Sequence, residues 1–157
     1  MKLTSSAFTN GGKIPSLYTC EGKNINPPLE IHDVPSQAKS LALIVDDPDV
    51  PEFVRKDRMW VHWVHFNMPI TIKSIKENTT LEGISGKNTG GKIGYDGPCP
   101  PDREHRYFFK LYALDTLLTL PQGSTKEQLE KAMSGHIIAS AELIGRYQLQ
   151  KPSKLDK

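Results

Sequence analysis

Proline constrains this chain more than any other residue type. Twelve prolines stand beside twelve glycines in 157 residues. A proline inside a helix removes a hydrogen bond and collides with the preceding turn, so a bundle of long helices is excluded. Strands, turns and irregular loops are expected instead. Hydrophobic residues make up 37% of the chain. That suffices for one core, because a domain of ~150 residues buries roughly 70% of the surface that its unfolded chain exposes. No repeat, low-complexity tract or composition break marks a linker. The expectation is a single domain over 1–150 with a polar tail at 151–157.

The charges nearly cancel, 20 Lys+Arg against 18 Asp+Glu. So small and scattered an excess points to neither nucleic acid nor an acidic membrane as partner. The N-terminus leads into no apolar run of the secretory type, and no stretch approaches the ~18 apolar residues of a membrane span. Cys20 and Cys99 are therefore expected as free thiols in a reducing cytoplasm.

Three strands are legible. Leu41–Val45 is a continuous apolar run that ends at Asp46-Asp47-Pro48, as in a central strand buried on both faces. In Trp60–Met68, alternation places Trp60, His62, Val64, Phe66 and Met68 on one face. A third strand covers about His105–Leu114, with His105, Tyr107, Phe109 and Leu111 on one face and Arg106 on the other. A fourth alternating segment runs from Ala139 to Tyr147. One helix is signalled by a Ser124/Glu127 capping box and a stop at Gly135. Long loops at 46–58 and 86–104 precede the second and third strands, and loops of that length are usually functional.

Isolated motifs carry little. Gly86-x4-Gly91-Lys92 resembles the start of a phosphate loop, but Ile93 replaces the required Ser or Thr, and the residues through Pro98 cannot open a helix. His62-x2-His65 on a strand sends the two rings to opposite faces, which does not suit a shared metal. A Cys99–His–Asp hydrolase would need a thiol of lowered pKa, yet Cys99 lies between two prolines with no helix terminus beside it.

The coherent cluster is dispersed. Asp47-Pro48-Asp49-Val50-Pro51 leaves one strand, and its prolines fix the direction of the carboxylates. His62 sits mid-strand near Trp60. The stiff Gly97-Pro98-Cys99-Pro100-Pro101 segment delivers the chain to His105-Arg106-Tyr107. His105 and Tyr107 can line a pocket together, while Arg106 points away towards a carboxylate such as Asp49. One carboxylate, two imidazoles and a phenol suit a small anion such as phosphate; equally, they suit buried polar residues that hold strand ends together.

These same residues resemble the signatures of the phosphatidylethanolamine-binding protein (Raf kinase inhibitor protein) family, and most of all its bacterial and archaeal branch. The first signature is Asp47–Pro51 followed by Trp60–Met68, and the second is Gly97–Pro101 followed by His105-Arg106-Tyr107. Asn26-Pro27-Pro28-Leu29, Gly135-His136-Ile137 and Ala141–Tyr147 add support, so the resemblance spans nearly the whole chain. It implies a large central antiparallel sheet, a smaller second sheet packed on it and a few short helices. It also implies a pocket for phosphate or a phosphorylethanolamine-like head group, lined by Asp47, Trp60, His62, Gly97, Pro98, Cys99, Pro100, Pro101, His105 and Tyr107. Asp49 and Arg106 match a structural pair, and a cis peptide is expected at Val50–Pro51. Val61 stands where eukaryotic members usually have a second histidine. The loop before His105 is short, and the chain stops before the C-terminal helix that helps gate the mammalian pocket.

The expected function is a non-catalytic, cytoplasmic binding protein for a small phosphorylated or anionic ligand, without cofactor or metal and with a homodimer implied by the resemblance. Asp47 would accept from a ligand amine or orient a histidine, while His62, His105 and Tyr107 donate to phosphate oxygens. The alternatives are a protein partner, namely a kinase or a serine protease inhibited through the 46–58 loop, and a hydrolase that uses His and Asp with water.

Overall fold

A computed structural model describes residues 1–151. The polar tail expected at 151–157 lies outside the described residues, apart from Lys151. Eight strands and one α-helix form in the order β1 (Lys2–Thr4), β2 (Leu29–His32), β3 (Ser40–Asp47), β4 (Trp60–Met68), β5 (Ser74–Ile75), β6 (Ile84–Ser85), β7 (His105–Leu114), α1 (Lys126–Met133) and β8 (Ile137–Tyr147), with a 3-10 turn at Ser16–Tyr18. The larger sheet has the order β6-β4-β3-β7-β8 and the smaller β1-β2-β5. Every pairing between these strands is antiparallel.

The sequence pattern explains the layers. β3 is buried along its whole length, as an uninterrupted apolar run between two strands and two cores requires. Its alternate residues divide between the cores. Leu41, Leu43 and Val45 join Phe109, Leu111, Leu29, Ile31 and Ile75 in the core between the sheets. Ala42 and Ile44 join Val64, Phe66, Leu129 and Met133 beneath α1. In β8, Gly145 has a packing reason, since a Cβ there would overlap Ile14 and Phe8.

Four expectations need correction. The capping box is Thr125/Gln128, one residue later than Ser124/Glu127. Both pairs fit the motif, but the Ser124 hydroxyl is taken by the Pro121 carbonyl in the preceding turn. The helix does stop as expected, with Gly135 at φ 82°. Val50–Pro51 is trans, and no cis peptide occurs among the described residues. Pro51 opens a single turn in which its carbonyl accepts from Val54 and Arg55, a place where a missing N–H costs nothing.

The third correction concerns β4, where strict alternation fails. Val45 pairs with Trp63 and Asp46 with Val61, so His62 is an extra residue in a β-bulge. A second irregularity lies between Leu41↔Met68 and Leu43↔His65. Trp63 and Met68 therefore enter the inter-sheet core, and Val61, Val64 and Phe66 enter the core beneath α1. Last, Cys20 and Cys99 are not free thiols but a disulfide with Cα atoms 5.5 Å apart. The Cys20 N–H donates to the Pro98 carbonyl, which docks the 97–101 segment onto the 3-10 turn and brings the two side chains within bonding reach. The argument from free thiols to a reducing compartment falls with them.

Candidate functional site

Where β3, β4 and β7 approach the 95–101 loop, a cavity of about 440 Å³ opens. Of the residues singled out in the sequence, Asp47, Trp60, His62, Gly97, Cys99, Pro100, Pro101, His105 and Tyr107 line it. Pro98 does not, because its carbonyl turns to Cys20. Cys20, Val50, Val54 and Asp96 complete the wall and were not anticipated.

The bulge aims His62. The Asp96 N–H donates to the His62 carbonyl at 2.9 Å, and the His62 Nδ1 lies 2.7 Å from the Asp96 carbonyl oxygen. A carbonyl only accepts, so Nδ1 carries the proton and Nε2 is left as an acceptor. Nε2 is buried and has no hydrogen-bond partner. Burial holds the His62 pKa below the ordinary histidine value, against the opposing pull of the Asp96 carbonyl and Asp47. Tyr107 packs its ring 5.2 Å from His62, and its hydroxyl is likewise buried without a partner. Desolvation pushes this hydroxyl far above the usual tyrosine range, so it stays protonated and can donate.

His105 is arranged differently. Its Nδ1 sits 2.6 Å from Asp47 Oδ2 and its Nε2 2.6 Å from Asp102 Oδ1. Burial alone would lower its pKa, but the hydrogen bonds and charges of Asp47 and Asp102 outweigh burial and raise it. An imidazolium donates from both nitrogens, so the Asp47–His105–Asp102 unit carries a net single negative charge. Asp47 is fixed further by the Asp49 N–H, 2.7 Å from Oδ1. Asp102 was not anticipated as a site residue; its carboxylate comes from the short turn just before β7.

The expected pair is present on the outer side of β7. Asp49 Oδ2 accepts from the Arg106 N–H and Nε, each at 2.9 Å, and Oδ1 accepts from Nη2 at 2.8 Å. These bonds hold the Asp49 carboxyl below the usual range and lock the loop after β3 onto β7. The 95–98 base of the rim is equally fixed. The Tyr95 hydroxyl donates to the Tyr18 carbonyl at 2.7 Å, Asn24 Nδ2 to Asp96 Oδ1 at 3.0 Å, and the Gly97 N–H to Asn24 Oδ1 at 2.7 Å. Gly97 is required there, since a Cβ would overlap the Tyr18 carbonyl and Asn24. His65 lies elsewhere, bound to the Glu82 carbonyl and Ser85. Residues 86–93 close on themselves as a turn, with the Asn88 N–H on the Lys92 carbonyl and an isolated bridge between Lys87 and Ile93.

A mostly antiparallel two-sheet protein with a pocket that gathers buried histidine, tyrosine and aspartate side chains at one end of its larger sheet is the class that this geometry defines. The family model for phosphatidylethanolamine-binding protein matches residues 4–148. A UPF0098 protein of Chlamydia muridarum is 53% identical over 148 residues, covering 94% of this chain and 99% of its own. One from Methanothermobacter thermautotrophicus is 50% identical over 153 residues, covering 94% and 98%. Among solved structures, a putative phosphatidylethanolamine-binding protein homolog from Chlamydia trachomatis superposes with a TM-score of 0.93 at 52% identity, covering 95% and 97% of the two chains. E. coli YbcL, described as a new member of the mammalian family, superposes at 0.85 with 29% identity, covering 95% and 98%. The chain belongs to the phosphatidylethanolamine-binding protein family.

Proposed function

We propose that this protein is a non-catalytic binder of a small ligand bearing a phosphate or similar oxyanion, of the phosphorylethanolamine type. One observation carries the reading: His62 Nε2 and the Tyr107 hydroxyl are both buried without partners on residues that line the same cavity. Unpartnered buried polar atoms are costly, on the order of 1–3 kcal/mol each, so a bound group that satisfies both recovers that cost. Tyr107 donates to a phosphate oxygen. His62 Nε2 receives a proton, either from a P–OH group or by becoming imidazolium beside the bound anion. The negative Asp47–His105–Asp102 unit disfavours a bare dianion and favours a ligand that also carries an amine. A thiol hydrolase finds no support, because the Cys99 sulfur is bonded to Cys20.

Calorimetric titration with phosphorylethanolamine and inorganic phosphate tests the reading. Saturable binding by the wild type, weakened at least tenfold by His62→Ala, is expected. No binding, or equal binding by the variant, would sink it. The homodimer implied by the family resemblance belongs to the same proposal, and a single-protomer mass in sedimentation equilibrium would remove it.

A second reading has an observation of its own. Phe53 in the 46–58 loop is 69% exposed and Val54 beside it 41%, an apolar tip suited to a protein partner such as a kinase or a chymotrypsin-like protease. Inhibition abolished by Phe53→Ser but retained by His62→Ala would favour it over ligand capture.

A further inference from the structure

We infer that the Cys20–Cys99 disulfide is a thiol-exchange site that sets the affinity of the pocket, tight when oxidised and weak when reduced. The inference rests on the pocket reading above and adds its regulation. Both cysteines line the cavity, and both are exposed, so a thiol can reach the bond from solvent. The bond joins the segment after the 3-10 turn to the outer rim.

What this bond secures is visible in the pattern of hydrogen bonds. The base of the rim is held at Tyr95, Asp96, Gly97 and Pro98 by the contacts with Tyr18, Asn24 and Cys20. Beyond Pro98 the pattern changes. Among the described residues, no hydrogen bond engages Cys99, Pro100 or Pro101, all three of which line the cavity. Pro100 and Pro101 have no N–H to donate. Pro100 is buried and Asp102 is held by His105, so the disulfide is the remaining tie on the outer half of the rim; cleaving it loosens residues 99–101 while Asp96 still orients His62. A ligand must then order three more residues on binding.

The exchange balances simply. The thiolate of a low-molecular-weight thiol attacks one sulfur, forms a mixed disulfide and releases the other cysteine as a thiolate. A second thiol attacks the mixed disulfide, leaving two protein thiols and one oxidised thiol dimer. Two electrons pass from the reductant to the protein disulfide.

The test uses the full chain, oxidised or reduced with dithiothreitol, with the two-proton mass change confirming the state. Nitrogen-15 backbone order parameters of the Cys99, Asp102 and Arg103 amides are followed alongside phosphorylethanolamine affinity. Reduction should lower the order parameters at these amides, leave those of β3 and β7 unchanged, and weaken binding by roughly three- to tenfold. The C20S/C99S variant should bind as the reduced protein does and ignore the reductant; if it fails to fold, the wild-type arms still decide. Unchanged order parameters and affinity in reduced wild type would overturn the exchange site while leaving the pocket reading intact. Absence of binding by the oxidised protein would overturn the pocket reading, and this regulation with it.

Discussion

Asp46 and Asp47 are neighbours at the end of β3, yet strand alternation sends them to opposite faces and into opposite roles. Asp46 is fully buried on the face beneath α1. Its Oδ2 accepts from Lys110 Nζ at 3.1 Å and from Lys126 Nζ at 2.7 Å. Lys126 is the first residue of α1, so one carboxylate pins the helix to β3 and β7. Asp46 Oδ1 has no hydrogen-bond partner, but two ammonium groups already lie on the same carboxylate. On the other face, Asp47 meets His105, and a second carboxylate shares that imidazolium. There the surplus charge is negative, and His62 Nε2 and the Tyr107 hydroxyl remain unpaired beside a cavity. The comparison separates two uses of buried polarity. One face spends its charges on closing the fold, and the other leaves hydrogen-bonding capacity unused beside a cavity, where the proposed ligand would take it up.

Breaking the first face should have the largest effect. Asp46→Ala strands Lys126 in a buried position, and loss of one member of a buried pair costs about 3–5 kcal/mol. Thermal melting should fall by about 10 °C or more, while ligand affinity of the folded fraction stays within about twofold. A melting point equal to the wild type would show that the two faces are not distinguished in this way. Tyr107→Phe should do the reverse. Deleting an unpartnered buried hydroxyl should leave stability unchanged or raise it by up to about 1 kcal/mol, while affinity for phosphorylethanolamine drops several-fold. Chemical denaturation and calorimetry on the same variant check both halves.

The pH dependence sharpens the contrast within the pocket itself. The His62 pKa is lowered by folding, so its contribution to stability is lost as pH falls below the unfolded value near ~6.5. The His105 pKa is raised, so its stabilisation is present below ~6.5 and is lost as pH rises through the higher folded value. His105→Gln should therefore lose more stability at about pH 6 than at about pH 9, relative to wild type; an offset independent of pH would contradict the charged clamp. Smallest of all is Arg106→Ala. Its pair with Asp49 is bidentate, but the Arg106 side chain is 55% exposed, so about 1 kcal/mol or less is expected in denaturant unfolding.

Much of this arrangement could be read from the chain. The β3 run, the shared face of His105 and Tyr107, and the outward Arg106 reaching for Asp49 follow from strand period and residue type. Three features could not be read that way. A bulge has no compositional mark, so alternation assigned Val64 and Phe66 to the face of His62 when they lie beneath α1. The hydrogen bond that fixes the His62 tautomer comes from a backbone carbonyl at Asp96, which no side-chain motif reports. The cysteine pairing depends on two segments 79 residues apart meeting at a docking contact, and reasoning from compartment alone pointed the other way. The capping box slipped by one residue because Ser124-x-x-Glu127 and Thr125-x-x-Gln128 satisfy the same pattern.

The central claim is that the pocket binds an oxyanion through a proton held between it and His62 Nε2, brought by a P–OH group or, for a phosphodiester, taken up from solvent. The direct measurement is nitrogen-15 NMR of the His62 ring, with and without saturating glycerophosphorylethanolamine, between about pH 8 and 6. This phosphodiester has no P–OH proton to give in that range, so any proton gained must sit on the ring. The free protein should show a neutral ring with the proton on Nδ1, and saturation should shift the Nε2 resonance to its protonated position, with affinity tightening as pH falls. A ring that keeps its neutral Nδ1–H signature in a saturated complex would contradict the account.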